Sequence, residues 1–191
     1  MNPLVYLVRH GESEWNVLRR TQGQTHHPRL TRLGRSQARD AADVILRDLR
    51  NQHLDAGRLV TSDLVRATET ATIIGRECGI APELDPRLRE QHLGDLEGLG
   101  YDETWAAAEV HDWSDPTLPI GGGESAFQVH ERMAEVLAEI DPRRVTILIS
   151  HGDAIRAAVA HLMGQRPPDA PWVAVGNGAV ARYDGSLRWL A

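Results

Sequence analysis

Short apolar runs recur along the chain and predict the buried strands of a sheet. The clearest are Leu4 to Val8 and Val145 to Ser150, and segments at 58–61 and around 81–84 have the length of strands as well. The two clearest runs are almost continuously apolar, which is typical of strands covered on both faces. We therefore expect a sheet that lies between layers of helices.

Amphipathic spacing between the strands predicts helices. They cover residues 31–49 with Thr31 as the cap, a segment that begins at Ser62 or Asp63 and ends at Gly79, and residues 101–110, 125–140 and 154–163. Leu33 is expected to open the buried stripe of the first helix, and Ser125 to cap the fourth. The alternation of strands and helices predicts an α/β fold, a three-layer α/β/α domain with a mainly parallel central sheet.

The remaining segments are two long loops, an acidic insertion and a terminal hairpin. Residues 11–30 and 87–98 are glycine-bearing loops of a length that is usually functional in a compact domain. No arginine occurs from Gln91 to Glu131, while acidic residues recur there. We expect one domain over residues 1–191 with a lid-like insertion at about 99–123, anchored on the core by its tryptophans, Trp105 and Trp113. Residues 178–190 predict a hairpin over a sheet edge.

Charge and composition narrow the possible partners. The chain of 191 residues has 21 basic and 27 acidic residues, a formal charge of −6, which argues against nucleic acid or an anionic membrane as the main partner. Every basic residue is arginine, so a Schiff-base lysine and a Walker-type phosphate lysine are excluded. An anionic ligand would have to be held by guanidinium and imidazole groups.

The single cysteine and the absence of a long apolar run set the expected compartment. Cys78 cannot form an intramolecular disulfide, and its place in a helix favours a small buried side chain over a nucleophile. No segment has the charge and apolar pattern of a signal peptide, and none approaches the roughly 18 apolar residues of a membrane span. We expect a soluble, cytoplasmic protein.

Polar groups suited to a phosphate follow the first strand directly. Arg9 offers a planar fork of donors, Gly11 permits close approach of the backbone, and His10 is a nitrogen nucleophile that is partly neutral at physiological pH. Ligands of open α/β sheets bind at the carboxyl ends of the strands. For this tripeptide alone, an ordinary strand ending in a polar loop is the better interpretation.

Three further positions add to the same chemistry. Arg66 lies in the first turn of a helix, where a positive charge makes best sense if an anion binds there, although a solvated arginine on a helix face is the commoner case for any single arginine. Glu90 follows the third strand, where burial can raise its pKa and suit it to donate a proton, although a salt bridge with Arg87 or Arg89 is favoured by spacing alone. His151 follows the last buried strand and opens a helix, as His10 follows the first.

Taken together, these segments resemble the histidine phosphatase superfamily, the phosphoglycerate mutase-like proteins. The matching segments occur in the family's order and are Leu7–Asn16, Thr61–Thr70, Leu88–Gly94 with Glu97-Gly98, Gly122–Ser125, and Ser150–Gly152 with Ile155–Ala157. The resemblance implies a phosphoglycerate mutase-like fold and a phosphohistidine intermediate on His10. No cofactor and no metal is implied, because arginine and histidine supply the positive charge, and the histidines lack the spacing of zinc ligands.

The resemblance also implies roles for individual residues. Arg9, Arg66 and His151 are similar to the family's pocket for the phosphoryl oxygens, and Glu90 to its proton donor. Asn16, Gln22, Gly23 and Gly152 are similar to its further substrate contacts. Residues 25–30 depart from the family pattern, so His26 and His27 are either substrate contacts or solvated loop residues.

The acidic insertion favours a phosphatase that acts on a small phosphorylated metabolite and releases inorganic phosphate. Mutases of this family have a longer chain with a basic insertion, which excludes water from the phosphohistidine. The alternatives are a phosphoglycerate mutase that uses Arg19, Arg20 and Arg29 in place of lid cations, and a non-catalytic phospholigand-binding protein. The terminal strands are also candidates for pairing two copies as a homodimer.

Overall fold

The fold is built around a six-stranded sheet. The structure is a computed structural model, and it describes residues 2–191. Its strands are β1 (Val5–Arg9), β2 (Arg58–Thr61), β3 (Pro82–Leu84), β4 (Thr146–Ser150), β5 (Val180–Tyr183) and β6 (Leu187–Trp189). The helices are α1 (Glu14–Val17), α2 (Arg32–Asn51), α3 (Val65–Cys78), α4 (Tyr101–Ala108), α5 (Ala126–Ala138) and α6 (Gly152–Leu162). Short 3-10 helices lie at Pro86–Leu88, Gly94–Leu96 and Ile120–Gly122.

The order of the strands brings distant parts of the chain to one edge of the sheet. The order is β3-β2-β4-β1-β5-β6, with β3, β2, β4 and β1 parallel and the terminal hairpin β5–β6 antiparallel. Arg9 is paired with Ser150, and the His10 N–H donates to the Ser150 carbonyl at 3.0 Å. The chain therefore leaves β1 and β4 side by side, so that the two segments that follow them meet.

Alternate residues of the central strands contribute to two cores. Leu7 and Leu148 pack on one side with α5 and α6, and Tyr6 and Ile147 on the other with α2 and α3. Burial on both faces explains the continuous apolar runs and confirms the predicted mainly parallel α/β/α sandwich. Among residues 2–191, no helix combines the length and apolar character that a membrane span requires.

The helix caps follow the sequence in two cases and depart from it in a third. Thr31 accepts a hydrogen bond from the Gly34 N–H at 3.0 Å, and Ser125 forms a capping box with Gln128. The prediction that Ser62 or Asp63 caps α3 is wrong, because Leu64 occupies the cap position and makes no side-chain bond there. Asp63 instead pairs with Arg89, which competes for its carboxylate.

Three expectations about burial need correction. Leu33 is 53% exposed, because it shares the solvent-facing side of α2 with Ser36, Asp40 and Asp43, whereas the buried stripe begins at Gly34. Trp105 and Trp113 are 66% and 59% exposed, so they do not anchor the insertion on the core. A small cluster of Leu96, Ala108 and Ile120, with Leu93 and Leu99 against it, supplies the apolar contact instead. Cys78, expected to be buried, is only half-buried, although this burial still raises the pKa of its thiol to about 11.

Two glycines allow α2 to pass very close to the segment after β1. A Cβ on Gly34 would lie 2.0 Å from the Glu12 carbonyl oxygen, and one on Gly11 would lie 2.1 Å from the Gly34 carbonyl oxygen. Both obstacles are backbone atoms, which cannot move aside as a flexible side chain does. Glycine at both positions is therefore a condition for the path of the chain after His10.

We predict that Gly34→Ala lowers the free energy of unfolding by about 1–3 kcal/mol, measured by urea denaturation. The backbone overlap outweighs the roughly 1 kcal/mol that alanine gains over glycine within a helix. Ser36→Ala, at an exposed position of the same helix, is the control and should change stability by no more than about 0.5 kcal/mol. A Gly34→Ala variant as stable as the wild type would contradict the close approach.

Candidate active site

A cavity of about 570 Å³ opens at the carboxyl ends of the parallel strands. Its lining includes seven of the nine residues proposed from the sequence: Arg9, His10, Asn16, Gln22, Gly23, Arg66 and Glu90. These residues come from β1, the loop after it, the first turn of α3 and the segment after β3. Because parallel strands end at one edge of the sheet, residues far apart in the sequence meet there.

The imidazole of His10 is buried and has a defined tautomer. Its Nδ1 lies 2.7 Å from the Gly11 carbonyl oxygen, which can only accept, so Nδ1 carries the proton and Nε2 keeps its lone pair. Burial lowers the pKa of His10 well below its ordinary value, and the charges of Arg66 and Arg9 lower it further. His10 is thus a neutral nitrogen nucleophile in this site.

Arg66 is 1% exposed and is held by carbonyl groups rather than by a carboxylate. Its guanidinium donates to the Thr25 carbonyl at 2.8 Å and to the Gly23 carbonyl at 2.7 Å, and its buried Nε has no partner among the described residues. Burial lowers the pKa of Arg66 to about 10. The side chain therefore stays cationic at neutral pH and keeps its charge available to an anion.

Arg9 repeats this arrangement on the other side of the site. It donates from Nη1 to the Val175 carbonyl at 2.5 Å, and its Nε is also buried without a partner in the described part of the chain. Burial lowers the pKa of Arg9, while the carboxylates of Glu90 and Asp153 act in the opposite direction. Two guanidinium groups thus share the cavity with His10, and neither has an ion-pair partner among the described residues.

His151 is fully buried next to the residues of the cavity lining. Its ring centroid is 5.0 Å from that of His10, and neither of its buried ring nitrogens has a hydrogen-bond partner among residues 2–191. Burial lowers the pKa of His151 well below its ordinary value, with Arg66 as the next largest cause. Gly152 is also outside the lining, but a Cβ there would lie 3.5 Å from Glu90 Oε2 and 3.8 Å from Arg9 Cζ. Both residues therefore adjoin the site closely.

Glu90 presents one carboxyl oxygen to the cavity and uses the other for anchoring. Oε1 accepts from the N–H groups of Gln91 at 3.0 Å, Asp153 at 3.0 Å and Ala154 at 3.2 Å, the last two in the first turn of α6. Burial raises the pKa of Glu90, and the neighbouring Asp153 raises it further. The salt bridge that spacing favours does not form, because Arg87 pairs with Asp85 and Glu139, and Arg89 with Asp63.

The amide oxygens of Asn16 and Gln22, two residues of the cavity lining, both accept hydrogen bonds from Ser13. The backbone N–H of Ser13 donates to Asn16 Oδ1 at 3.0 Å, and its hydroxyl donates to Gln22 Oε1 at 2.8 Å. With both oxygens occupied, the NH₂ groups remain as donors on the cavity wall. Gly23 adopts a positive φ of 45° and lends its carbonyl to Arg66. Ser13 is thus a supporting residue that the sequence did not identify.

A network behind the site holds the Glu90 segment. Arg132 donates to the carbonyl groups of Arg87 and Arg89 at 2.7 Å and of Glu90 at 3.0 Å, and forms a two-bond pair with Glu124. Sequence reasoning missed Arg132, since nothing in an amphipathic helix distinguishes it from a solvated arginine. It also missed Asp153, although its position directly after His151-Gly152 was a signal.

Several other candidates lie away from the cavity. His26 and His27 are exposed, and the His27 ring contacts Trp15 edge-on at 5.2 Å. Arg19 contacts the ring of Tyr101 and Arg29 pairs with Glu69, and none of Arg19, Arg20 and Arg29 is part of the lining. Residues 2–191 contain no cluster of three His, Cys, Asp or Glu side chains that could hold a metal ion.

Comparison with known proteins gives consistent relatives over almost the whole chain. The sequence profile of the histidine phosphatase superfamily (branch 1) matches residues 5–186. The probable phosphoglycerate mutase GpmB of Escherichia fergusonii is 36% identical over 197 residues, covering 98% of this chain and 87% of the relative.

Solved structures agree with this match. A mycobacterial glucosyl-3-phosphoglycerate phosphatase in complex with vanadate is 32% identical, with a TM-score of 0.82 over 98% of this chain and 96% of the other. YhfR of Bacillus stearothermophilus is 30% identical, with a TM-score of 0.78 over 98% and 95%. The central sheet and the flanking helices match the phosphoglycerate mutase-like fold of these proteins. The chain therefore belongs to the histidine phosphatase superfamily.

Proposed function

We propose that the protein is a phosphatase that hydrolyses a small phosphomonoester through a phosphohistidine on His10. One observation carries this proposal: a neutral imidazole with a free Nε2 shares one cavity with two guanidinium groups that lack an ion-pair partner among the described residues. An anion is the ligand that such a pocket favours, and a phosphoryl group is the electrophile that a histidine nitrogen attacks there.

The proposed first step transfers the phosphoryl group to the enzyme. The Nε2 lone pair of His10 attacks phosphorus, and the bond from phosphorus to the leaving oxygen breaks. Arg9, Arg66 and His151 bind the phosphoryl oxygens, with Asn16, Gln22, Gly23 and Gly152 as further contacts. A loose phosphoryl transition state gains most from such fixed donors, because its charge is spread over those oxygens.

Glu90 completes both halves of the proposed reaction. Its raised pKa favours a protonated carboxyl group, and Oε2 is the oxygen that its anchoring bonds leave free. Oε2 donates its proton to the leaving oxygen. The resulting carboxylate then takes a proton from water as that water attacks phosphorus, which breaks the N–P bond and regenerates neutral His10.

The charge around the cavity supports hydrolysis over mutase activity. The segment from Gln91 to Glu131 contains no arginine or lysine, and Arg19, Arg20 and Arg29 do not line the cavity. A bisphosphorylated intermediate would need additional cations there to stay bound while it reorients. We propose further that residues 1–191 act as one domain and that residues 99–123 cover the cavity as a lid, with Tyr101, Trp105 and Trp113 in its lining.

We predict that folding stability falls as the pH is lowered below about 6.5. The pKa values of His10 and His151 are lowered in the folded state, so in this range the unfolded chain binds protons that the folded chain does not. Each histidine contributes up to about 1.4 kcal/mol per pH unit, and this loss ends only below its folded-state pKa. Denaturation at about pH 7 and about pH 5.5 measures the difference.

The comparison variant for this prediction is His151→Gln, which should lose less stability between the two pH values than the wild type. His26→Gln, at an exposed histidine, should lose as much as the wild type. Equal losses in all three proteins would show that the buried imidazoles do not account for the pH dependence.

We predict that His10→Ala lowers the release of inorganic phosphate from phenyl phosphate by at least about 10³-fold. Acid-labile phosphoenzyme should form in the wild type and not in the variant. His26→Ala, outside the cavity, is the control. Phosphate release that persists in His10→Ala would exclude His10 as the nucleophile. If the wild type itself releases no phosphate, a phospholigand-binding protein would be supported instead. Efficient conversion of 3- to 2-phosphoglycerate with little phosphate released would favour the mutase.

We predict that Glu90→Gln slows hydrolysis most for esters of poor leaving groups. An alkyl alcohol needs a proton as it departs, whereas nitrophenolate does not, so the loss should be about 10²–10⁴-fold for the alkyl ester and much smaller for nitrophenyl phosphate. The control is Glu83→Gln, the same change at an exposed glutamate of β3, which should leave both rates unchanged. Equal losses with both esters in Glu90→Gln would contradict the role of Glu90 as the acid.

A further inference from the structure

A second cavity, of about 280 Å³, adjoins the catalytic cavity and is here called the annex. Trp113, Asp153, Arg156 and Trp172 line both spaces, so the two are neighbours across these side chains. The Asp153 N–H donates to Glu90 Oε1 at 3.0 Å, which puts the junction beside the proposed acid. A group that leaves the phosphorus atom next to Glu90 therefore lies close to the annex.

The rest of the annex wall is largely apolar. Leu118 comes from the insertion, Val129 from α5, Ala157 and Ala160 from α6, and Pro171 from the segment after α6. The two alanines have the smallest apolar side chains, so α6 leaves open the space that larger residues would fill. Apolar surface of this kind is stabilised when an apolar group displaces water from it.

The charged side chains of the annex are already engaged. Among the described residues, Arg156 is the only arginine in its lining, and it donates to Asp153 at 2.5 Å and to the Val173 carbonyl at 2.8 Å while lying 4.8 Å from the centre of the Trp172 ring. Asp115 adds a negative charge and accepts from Thr117. A carboxylate or second phosphate would therefore meet no free arginine in the described part of the annex, where the imidazole of His111 packs against the ring of Trp113.

We propose that the annex binds the non-phosphate part of the substrate, and that this part is an uncharged, apolar body. This inference rests on the proposed function and names the substrate class: phosphomonoesters whose leaving group carries an aryl or alkyl extension and no second anionic group. The guanidinium groups of Arg9 and Arg66 bind the phosphoryl group, and the apolar walls of the annex bind the aryl or alkyl extension of the leaving group.

The test compares three phosphomonoesters on the wild-type protein: phenyl phosphate, 4-propylphenyl phosphate, and the analogue whose propyl chain ends in a carboxylate. Their phenols have similar acidity, so the leaving-group chemistry is matched. We expect the propyl ester to exceed phenyl phosphate by at least about tenfold in kcat/KM, since a single fully buried methylene in an apolar pocket is already worth about that factor. The carboxylate ester should gain nothing over phenyl phosphate.

A variant that fills the annex adds a second measurement. Ala160→Leu should reduce the ratio of kcat/KM for the propyl ester over phenyl phosphate to about one, because leucine occupies the space of the propyl group. His161→Leu adds the same side chain at the adjacent, exposed position of α6 and should keep the wild-type ratio. A wild-type ratio in Ala160→Leu would overturn the proposal, and if that variant does not fold, the wild-type series decides alone.

The outcomes separate this inference from the proposed function. Hydrolysis of phenyl phosphate without a gain from the propyl group, or faster hydrolysis of the carboxylate ester, would overturn the annex proposal and leave the phosphatase activity standing. Failure to hydrolyse any of the three esters would overturn both.

Discussion

The constraint on which the rest of the site depends is the placement of two arginine side chains, Arg66 fully buried and Arg9 partly buried, without carboxylate partners among the described residues. Arg66 is bound by the carbonyl groups of Thr25 and Gly23, and Arg9 by that of Val175. A buried cation costs several kcal/mol, and neutral acceptors offset only part of this cost. The fold must therefore hold these carbonyl groups rigidly. Glu97 does so for one loop by accepting from the Gln24 N–H at 2.9 Å and from the Thr25 hydroxyl at 3.2 Å.

Burial, reinforced by this positive charge, lowers the pKa values of the two neighbouring histidines. A proton on His10 or His151 would add charge beside Arg9 and Arg66 in a desolvated space, so both imidazoles are neutral. The same arginines lower the pKa of Glu90, but burial and the nearby Asp153 have the larger effect, so the pKa of Glu90 is raised. The arrangement thus favours a neutral imidazole at His10 and a carboxyl group at Glu90 that holds its proton to a higher pH than usual, the two states that the proposed phosphoryl transfer uses.

The parts of the structure that the sequence predicts are those set by local pattern. His10 and His151 could be recognised because each ends an apolar run, and Thr31 and Ser125 because a cap needs only its own helix. Residues whose role depends on packing between distant segments could not be recognised. Asp63 has the side chain of a helix cap, but in the folded protein its carboxylate pairs with Arg89 from another loop. Arg132 reaches the Glu90 carbonyl only because α5 packs against the segment that contains Glu90.

The cations of the catalytic cavity and the apolar walls of the annex have different proposed tasks: the first bind the phosphoryl group, and the second bind the rest of the substrate. In the proposed reaction the groups around phosphorus act on the phosphoryl oxygens, which every phosphomonoester has, so they give little discrimination between leaving groups. Discrimination must come from surfaces beyond Glu90, where Asp153 neutralises Arg156 and the insertion supplies Leu118 and Trp113. Because the insertion has no arginine, those surfaces favour a ligand that buries apolar area and give no advantage to a second anion. An acidic insertion and an apolar annex are therefore compatible features of one binding site.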